Sequence, residues 1–303
     1  MLYYIKEKKE EIKMKRKNLF LRFITFGVAF CMSIILCGGC TTMENSSSIN
    51  GSEESGDTSS VEEVKKLEGK KISILGDSNA SLAGVSDSTE LNSTMGGNYN
   101  FFPRYDIYNK NETWWELVAK QTGTEILVNN SSSGAKASGD RFDNGWQDRC
   151  VQLHCDHGER AGEEPDIILV KLINNDFFAS VPYGKFNKLS DIWSEESGYI
   201  TPTTFTQALA IIVHKMLNRY PNADIFLFTL DHIRGYNELE MEFYNDCARL
   251  VAQYFGVNMI EWYSYEGFDS NTHTSEGMHF NEKGMQLLAQ CVTETLENFY
   301  TKK

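Results

Sequence analysis

Three residues have the side chains needed for nucleophilic catalysis: Ser78 and, about two hundred positions later, Glu276 and His279. A serine hydroxyl becomes a good nucleophile only when a neighbouring base takes its proton, and a neutral imidazole is the usual base. A carboxylate three residues before the histidine, in a tight turn, can orient the imidazole and stabilise its protonated form. The three residue types therefore predict acyl transfer through a serine, provided that the fold brings them together.

The serine follows a stretch that has the composition of a buried strand. Residues 71–75 read KISIL, and their apolar, β-branched side chains suit a strand that is covered on both faces. Gly76 is expected to give the chain a sharp exit with a positive φ. Asp77 and Ser78 then lie in the first turn beyond the strand, where an open parallel sheet has its ligand crevice. On its own, Gly-Asp-Ser is also an ordinary turn tripeptide.

Three later polar clusters occupy comparable positions. Segments 128–134 and 174–176 follow the next two apolar runs, and segment 276–279 precedes the last helical segment. Taken alone, Gly134 and Asn175 read as turn or cap residues. Because the carboxyl ends of parallel strands meet at one edge of a sheet, we expect all of these clusters to lie together with the serine.

The order of the elements predicts a three-layer α/β/α domain with a doubly wound, mostly parallel, five-stranded sheet of flavodoxin-like type. From Gly69 onward, apolar runs suited to strands alternate with longer segments at helical spacing. The predicted strands are 71–75, 125–128, 166–172, 224–229 and 257–260. The predicted helices are 113–122, 203–219, 237–255 and 281–300. Asn281 is expected to cap the last of these helices.

These motifs together resemble the SGNH, or GDSL, hydrolase superfamily. The motifs of that superfamily are a Gly-Asp-Ser block, a later Gly, a Gly-x-Asn-Asp block and a C-terminal Asp-x-x-His. In this chain they occur in the same order, at residues 76–78, 134, 173–176 and 276–279. The resemblance covers residues 70–300 and implies the same α/β/α fold.

The resemblance also implies a serine esterase that uses no cofactor and no metal. It makes Ser78 the nucleophile and His279 the base, with Glu276 in the position of the acid. It further implies three donors to the oxyanion of the tetrahedral intermediate. These are the backbone N–H groups of Ser78 and Gly134 and the side-chain amide of Asn175.

Two residues depart from the pattern of the superfamily. Ile173 stands where the third block has Gly, and a β-branched residue would adopt a positive φ there only at a cost. Glu276 replaces Asp and is one methylene longer, so it is expected to hold His279 differently or to leave that role to a backbone carbonyl. These departures raise the alternative of a carbohydrate-binding module that kept the fold and lost turnover. A purely structural lipoprotein is a third possibility.

The segment directly after the serine, residues 81–111, is too long for an ordinary loop and carries many aromatic residues. It is expected either to wall or cover a pocket, or to be a surface loop whose aromatic side chains form a small core. Because the segment is aromatic and polar, it favours a short acyl group, such as acetyl, on a carbohydrate. A lipase or thioesterase of the same superfamily is the alternative. The aromatic residues are Tyr99, Phe101, Phe102, Tyr105 and Tyr108.

The charge distribution argues against polyanions as partners. The formal net charge is −13, and residues 1–39 hold eight Lys or Arg and three Glu, which leaves 21 basic and 39 acidic residues in the remaining chain. The formal charge of that remainder is −18. Binding nucleic acid requires Lys and Arg side chains to displace counterions. The expected partner is instead a small-molecule or carbohydrate ester.

The amino terminus has the layout of a secretory signal. A basic region leads into an apolar run at 23–36, which is short for a bilayer span, and small residues directly precede Cys40. This arrangement resembles the lipobox of bacterial lipoproteins, in which the cysteine is lipidated, although Cys37 stands where that pattern usually has Leu. An uncleaved amino-terminal anchor is the alternative, and both place the body outside the cytoplasm.

The chain therefore divides into three predicted parts. Residues 1–40 are a lipoprotein signal peptide with the lipobox cysteine, and a lipidated amino terminus would attach the protein to the cell membrane. Residues 41–68 are rich in Ser, Glu, Asn and Gly and are predicted to be a disordered tether. Residues 69–303 are the predicted catalytic domain.

Other reactive side chains are interpreted as structural. The spacing of Cys150, His154, Cys155 and His157 matches no common zinc pattern, so we expect a local disulfide rather than a metal.

Three further aromatic residues lie near the predicted crevice. Trp114 and Trp115 open a helix, and at least one is expected to be buried, with a sugar-stacking role left open for the other. His232, just past the fourth strand, is placed to face the pocket.

Overall fold

A computed structural model describes residues 66–81, 107, 110–139 and 149–303. In these residues, apolar strands form a five-stranded parallel sheet. All of these residues fall in the unit Glu62–Lys303. The predicted signal segment with Cys40, residues 41–65 of the tether, and residues 82–106 and 108–109 of the aromatic segment lie outside the described residues.

The strands of this sheet are close to those predicted. In chain order the strands are β1 (Lys71–Gly76), β2 (Glu125–Asn129), β3 (Ile167–Lys171), β4 (Trp193–Ser194), β5 (Gly198–Tyr199), β6 (Asp224–Phe228) and β7 (Asn258–Ile260). Strands β4 and β5 form a separate antiparallel hairpin. The other five are parallel and lie in the order β2-β1-β3-β6-β7, which is the strand order of flavodoxin-like folds. The predicted fold class is confirmed.

Six α-helices accompany the strands within the described residues. They are α1 (Trp114–Thr122), α2 (Asn174–Phe178), α3 (Phe205–Arg219), α4 (Glu238–Phe255), α5 (Ser270–His273) and α6 (Glu282–Lys302). Helix α1 packs with α6, and α3 packs with α4.

The two helix pairs cover opposite faces of the sheet, as the burial of β3 shows. Ile168 and Val170 belong to the hydrophobic core shared with α3 and α4. Ile167 and Leu169 belong to the core shared with α1 and α6. Because successive side chains of a strand point to opposite faces, this alternation produces the three-layer arrangement.

The helix ends carry the expected capping residues. The side chain of Asn281 accepts a hydrogen bond from the N–H of Gly284 at 3.1 Å, which confirms its predicted role at the start of α6. Gly123 and Gly256 end α1 and α4 with φ of 73° and 68°, the left-handed conformation that glycine adopts without a steric penalty.

The sequence did not reveal four of these elements, two helices and the two strands of the hairpin. Helix α2 has five residues, helix α5 has four, and each strand of the hairpin has two, so none is long enough to show a period. No helix in the described part of the chain combines the length and apolar character needed to span a bilayer.

Candidate active site

At the end of β1, glycine is required at position 76 because neighbouring atoms leave no room for a side chain, and not because of a positive φ. Gly76 does not have the positive φ that was expected. A Cβ at this position would lie 2.5 Å from the Cβ of Ala80 and 3.0 Å from the Oγ of Ser131. Only glycine therefore lets the chain fold back so closely after the strand.

The next residues form a short 3-10 turn that presents Ser78. The side chain of Asp77 accepts a hydrogen bond from the N–H of Asn79 at 3.0 Å, and the carbonyl of Asp77 accepts one from the N–H of Ala80 at 3.1 Å. Asp77 thus caps the turn Ser78–Ala80. Ser78 is 9% exposed, so its hydroxyl lies at the edge of the protein interior.

The structure brings Ser78, His279 and Glu276 together in the order that acyl transfer requires. The Oγ of Ser78 lies 3.1 Å from the Nε2 of His279. The other ring nitrogen of His279, Nδ1, contacts the Oε1 of Glu276. The same carboxylate oxygen accepts the backbone N–H of His279 at 3.2 Å. A serine, a base and a carboxylate that orients the base are therefore in line.

A tight turn allows the longer Glu276 side chain to reach the ring. The N–H of Ser275 donates to the carbonyl of His279 at 2.9 Å, which folds the segment into a loop. Gly277 lies within this loop with φ 91°. The carboxylate therefore meets both the backbone and the ring of His279.

The three predicted oxyanion donors lie on three segments that hydrogen bonds hold together. The N–H of Ser132 donates to the carbonyl of Gly76 at 3.0 Å, and Gly134 follows with φ 76°. The side-chain amide of Asn175 donates to the carbonyl of Ala135 at 3.0 Å. An amide nitrogen carries two hydrogens, so this bond uses one of them and fixes the direction of the other.

Asp176 fastens the same segment to α2. Its carboxylate accepts the N–H groups of Ala137 and Ser138 at 2.7 and 3.0 Å. The side chain is fully buried, and burial raises the pKa of Asp176 to about 6 in spite of the hydrogen bonds from Ser138 and Ala137. Asn175 and Asp176 together hold the loop that contains Gly134.

The strain expected at Ile173 is absent. Its φ is −126°, outside the left-handed region, and its side chain is 2% exposed within the core that α3 and α4 cover. A β-branched residue is compatible with that backbone, so the departure at this position does not distort the site.

Beneath the serine lies a buried charge cluster that sequence reasoning missed. It consists of Lys171, Asp77, Asp231, Asn79 and Asn174, each less than 5% exposed. The Oδ2 of Asp231 accepts hydrogen bonds from Lys171 at 2.8 Å, from Asn174 at 2.7 Å and from Asn79 at 2.9 Å. The Nζ of Lys171 is also 3.9 Å from the Oδ1 of Asp77. Two features of the sequence could have indicated this cluster: Lys171 ends the otherwise apolar strand β3, and Asp231 lies just beyond strand β6.

The cluster holds two carboxyl groups and one ammonium group, all of them buried. Burial raises the pKa of Asp77, the positive charge of Lys171 opposes that rise, and the negative charge of Asp231 adds to it. The side-chain amide of Asn174 donates to Asp77 at 2.7 Å as well as to Asp231. Charge-assisted hydrogen bonds therefore join the ends of β1, β3 and β6.

The predicted disulfide between Cys150 and Cys155 is not formed. Cys150 is fully buried in the core, whereas the thiol of Cys155 donates to the carbonyl of His157, so the two side chains have separate environments. His154 contacts the hydroxyl of Tyr220 at 3.1 Å. Within the described ranges, no group of three or more His, Cys, Asp or Glu could hold a metal ion.

Of the aromatic residues named from the sequence, Trp114, Trp115 and His232 lie in the described part of the chain. Trp114 and Trp115 are 0% and 4% exposed, so neither is available to stack on a sugar. The Nε1 of Trp114 donates to the carbonyl of Asn79 at 2.9 Å and supports the serine turn from below. The ring of His232 packs against that of Tyr263, with centroids 5.2 Å apart.

Comparison with known proteins matches this chain to a family of hydrolases and to solved structures with a similar fold. The sequence profile of the GDSL-like Lipase/Acylhydrolase family matches residues 70–296. The structure is similar to a protein described as a GDSL-like lipase, from Bacteroides ovatus. That protein has 27% identity and a TM-score of 0.56, and the match covers 78% of this chain and 100% of the other. A comparison with curated proteins finds no match.

Two further structures share the fold. One is described as a GDSL-like lipase from Bacteroides uniformis, with 24% identity, a TM-score of 0.56 and coverage of 76% and 96% of the two chains. The other is the psychrotrophic esterase EstA from a Pseudoalteromonas species, with 16% identity, a TM-score of 0.50 and coverage of 77% and 99%.

The match defines a serine hydrolase with an α/β/α fold. The chain belongs to the GDSL-like lipase/acylhydrolase family, as the sequence motifs indicated. The name of the family spells Gly-Asp-Ser-Leu, and this chain departs from it at the fourth position, where it has Asn79.

Proposed function

We propose that the protein is an extracytoplasmic serine esterase that removes a short acyl group, such as acetyl, from a carbohydrate. The observation that carries this proposal is the 3.1 Å contact between the Oγ of Ser78 and the Nε2 of His279, with Glu276 on the other side of the ring. In this assignment Ser78 is the nucleophile, His279 the general base and Glu276 the orienting acid.

The first half of the reaction forms an acyl-enzyme. His279 takes the hydroxyl proton while the Oγ of Ser78 bonds to the ester carbonyl carbon, and the carbonyl oxygen becomes an oxyanion. The N–H groups of Ser78 and Gly134 and the amide of Asn175 would donate to that oxygen, and each such donor is typically worth about 2.7–4 kcal/mol. His279 then gives the proton to the leaving alcohol as the carbon–oxygen bond of the ester breaks.

The second half consumes water. His279 takes a proton from a water molecule, whose oxygen attacks the acyl carbon, and the same three donors stabilise the second oxyanion. The bond to Ser78 then breaks, and His279 returns its proton to the Oγ. The products are a carboxylic acid and an alcohol, and every proton is balanced without a metal or a cofactor.

The preference for a carbohydrate ester is supported by composition. The chain beyond residue 39 has a formal charge of −18, which disfavours polyanionic substrates. The aromatic residues of segment 81–111 suit stacking against sugar rings, and the segment lacks a long apolar run of the kind that would receive a lipid chain.

The proposed location depends on the amino terminus. A basic region, an apolar run and small residues before Cys40 support export and lipid attachment at that cysteine. In a cell fractionation experiment, we expect Cys40→Ala to release the protein from the membrane or to leave it unprocessed. Membrane retention with the amino-terminal peptide intact in both proteins would instead identify an uncleaved anchor.

The activity is tested with the purified full-length chain on p-nitrophenyl acetate and on acetylated xylan. Ser78→Ala should abolish hydrolysis of both and should prevent labelling by a fluorophosphonate, whereas Ser264→Ala, which removes an exposed hydroxyl elsewhere, should change neither. Equal rates for the wild type and Ser78→Ala would refute the proposal.

Two further substrates separate the alternatives. Faster turnover of p-nitrophenyl palmitate than of the acetate would identify a lipase, and faster turnover of an acyl thioester would identify a thioesterase. Binding to xylan without hydrolysis would identify a carbohydrate-binding module. Absence of both labelling and binding would indicate a structural lipoprotein.

A further inference from the structure

The side chain of Asn79 bridges the backbone that carries the serine and the backbone that carries the histidine. Its Nδ2 donates to the carbonyl of Met278 at 3.2 Å, and its Oδ1 accepts the N–H of Phe280 at 3.3 Å. These two residues flank His279 on either side, and Asn79 itself follows Ser78 directly. One amide group therefore connects the two segments whose side chains meet at 3.1 Å.

The two bonds restrict orientation as well as distance. A planar amide that donates to one peptide group and accepts from another is held at two points, so its partner segment cannot rotate without breaking one bond. Asn79 is 2% exposed, which removes water as a competing partner. Loss of the bond from Phe280 would leave a buried N–H group unsatisfied.

The buried charge cluster determines which way the Asn79 amide faces. The Nδ2 of Asn79 also donates to the Oδ2 of Asp231 at 2.9 Å. The ammonium group of Lys171 can only donate, and it bonds to the same oxygen at 2.8 Å, so this oxygen is an acceptor. The NH₂ end of the amide must therefore face Asp231. The carbonyl end of the amide is then left to receive the N–H of Phe280.

We propose that Asn79 is a positioning residue that holds His279 against Ser78, with Asp231 and Lys171 fixing the orientation of its amide. This inference rests on the roles of Ser78 and His279 given in the proposed function. Asn79 touches neither the reacting atoms nor the base itself, since it acts through the backbone of the His279 loop. It should affect the rate of proton transfer and leave substrate binding unchanged.

The test uses Asn79→Leu in the full-length chain, because leucine has nearly the same volume and neither donates nor accepts. We expect kcat to fall by about 10- to 100-fold, the cost of a small misplacement of reacting groups, with KM within about twofold of the wild type. The rate of fluorophosphonate labelling at Ser78 should fall in parallel with kcat. Asn79→Ala provides a second variant if the leucine does not fold.

A matched control is Asn245→Ala. Asn245 is also a fully buried asparagine, but its partners lie away from the His279 loop: it accepts the N–H of Leu230 at 2.7 Å and donates to Glu242 at 3.3 Å. This variant should lower the melting temperature while kcat of the folded protein stays within about twofold of the wild type. Rates are normalised to the folded fraction, measured by tryptophan fluorescence.

The possible results separate two kinds of failure. If Ser78→Ala and His279→Ala retain activity, the proposed function is wrong, and the positioning role is wrong with it. If both abolish activity while a folded Asn79 variant keeps the wild-type kcat, the positioning role alone is refuted. A fall in kcat that Asn245→Ala reproduces would also refute it, because the effect would then be one of general stability.

Discussion

The two sides of the Ser78–His279 contact are built in different ways. On the solvent side, Glu276 and His279 are three residues apart, and their side chains are 36% and 17% exposed. On the interior side, Lys171, Asp77 and Asp231 come from three different strand ends and are almost completely buried. The solvent side is assembled by one local turn, whereas the interior side exists only when the sheet has formed.

This difference predicts that the two sides fail differently when they are altered. Removing one partner of a buried ion pair leaves an uncompensated charge in a medium of low dielectric constant. Removing an exposed carboxylate leaves its partner in contact with water and changes mainly the chemistry of that partner. Changes in the interior should therefore lower stability, and changes at the surface should lower activity.

The largest effect is expected for Lys171→Met. This change leaves Asp77 and Asp231 without their cation, so the free energy of unfolding measured with urea should fall by about 3–5 kcal/mol. Lys71→Met is the matched control, since Lys71 pairs with Glu163 at 3.3 Å and both side chains are about one-third exposed. For Lys71→Met, the free energy of unfolding should fall by less than about 1 kcal/mol. Equal losses for the two lysines would contradict the comparison.

The next effect is expected for Glu276→Gln. The amide cannot stabilise a protonated His279 as the carboxylate does, so kcat on p-nitrophenyl acetate should fall by about a hundredfold or more. The free energy of unfolding should change by less than about 0.5 kcal/mol. Glu266→Gln, at an exposed position outside the site, should change neither quantity. A kcat unaffected by Glu276→Gln would show that another group orients the ring.

A pH-dependent effect is expected at Asp176. Because burial raises its pKa from 3.8 in the unfolded chain to about 6, the folded protein binds the proton more tightly. The stability from this group is fully present below pH 3.8 and is lost as the pH rises through about 6, by about 3 kcal/mol in total. Urea unfolding between pH 4.5 and 7 should therefore show a decline that Asp176→Asn lacks.

Asp269 is the control, because its pKa is lowered in the folded protein whereas that of Asp176 is raised. The hydrogen bond from Thr272 lowers the pKa of Asp269, so its contribution to stability is present above pH 3.8 and lost below it. Asp269→Asn should leave the slope between pH 4.5 and 7 unchanged. If Asp176→Asn also leaves that slope unchanged, the carboxyl is not the group that titrates there.

The smallest effect is expected for Asn281→Ala, which removes the cap of α6. The free energy of unfolding should fall by about 1 kcal/mol. Asn237→Ala removes the equivalent cap of α4 and should cost a similar amount. Only Asn281 also bonds to the carbonyl of Thr272 beside the His279 loop, at 3.0 Å, so only its loss should lower kcat. Equal kcat values for both variants would show that the loop does not depend on this residue.

Much of the fold was predictable because its signals are local. The five strands of the sheet were predicted as apolar runs, and the four long helices were predicted from their spacing, with ends that differ by a few residues. The loop that contains Gly134 and its two partners, Asn175 and Asp176, were in the predicted motifs. The backbone strain expected at Ile173 is absent because the conformation of its backbone is set by packing, which composition does not reveal.

The residues that the sequence did not reveal depend on contacts across the sheet. Lys171 reads as the end of a strand and Asp231 as part of a loop, yet they are 2.8 Å apart. Asn79 reads as a turn residue, although it binds both neighbours of His279, about two hundred positions away. No local pattern reports such pairings, because they depend on which strands are neighbours.

The sequence by itself determined the class of the protein: a serine at a strand end, a histidine before the last helix and a carboxylate one turn away. These features follow from residue type and short spacing, which act through local backbone geometry. Only the tertiary structure decided what lies behind the serine, namely a lysine, two aspartates and two asparagines without access to water. The physical reason is that burial and long-range hydrogen bonding exist only after the chain has folded.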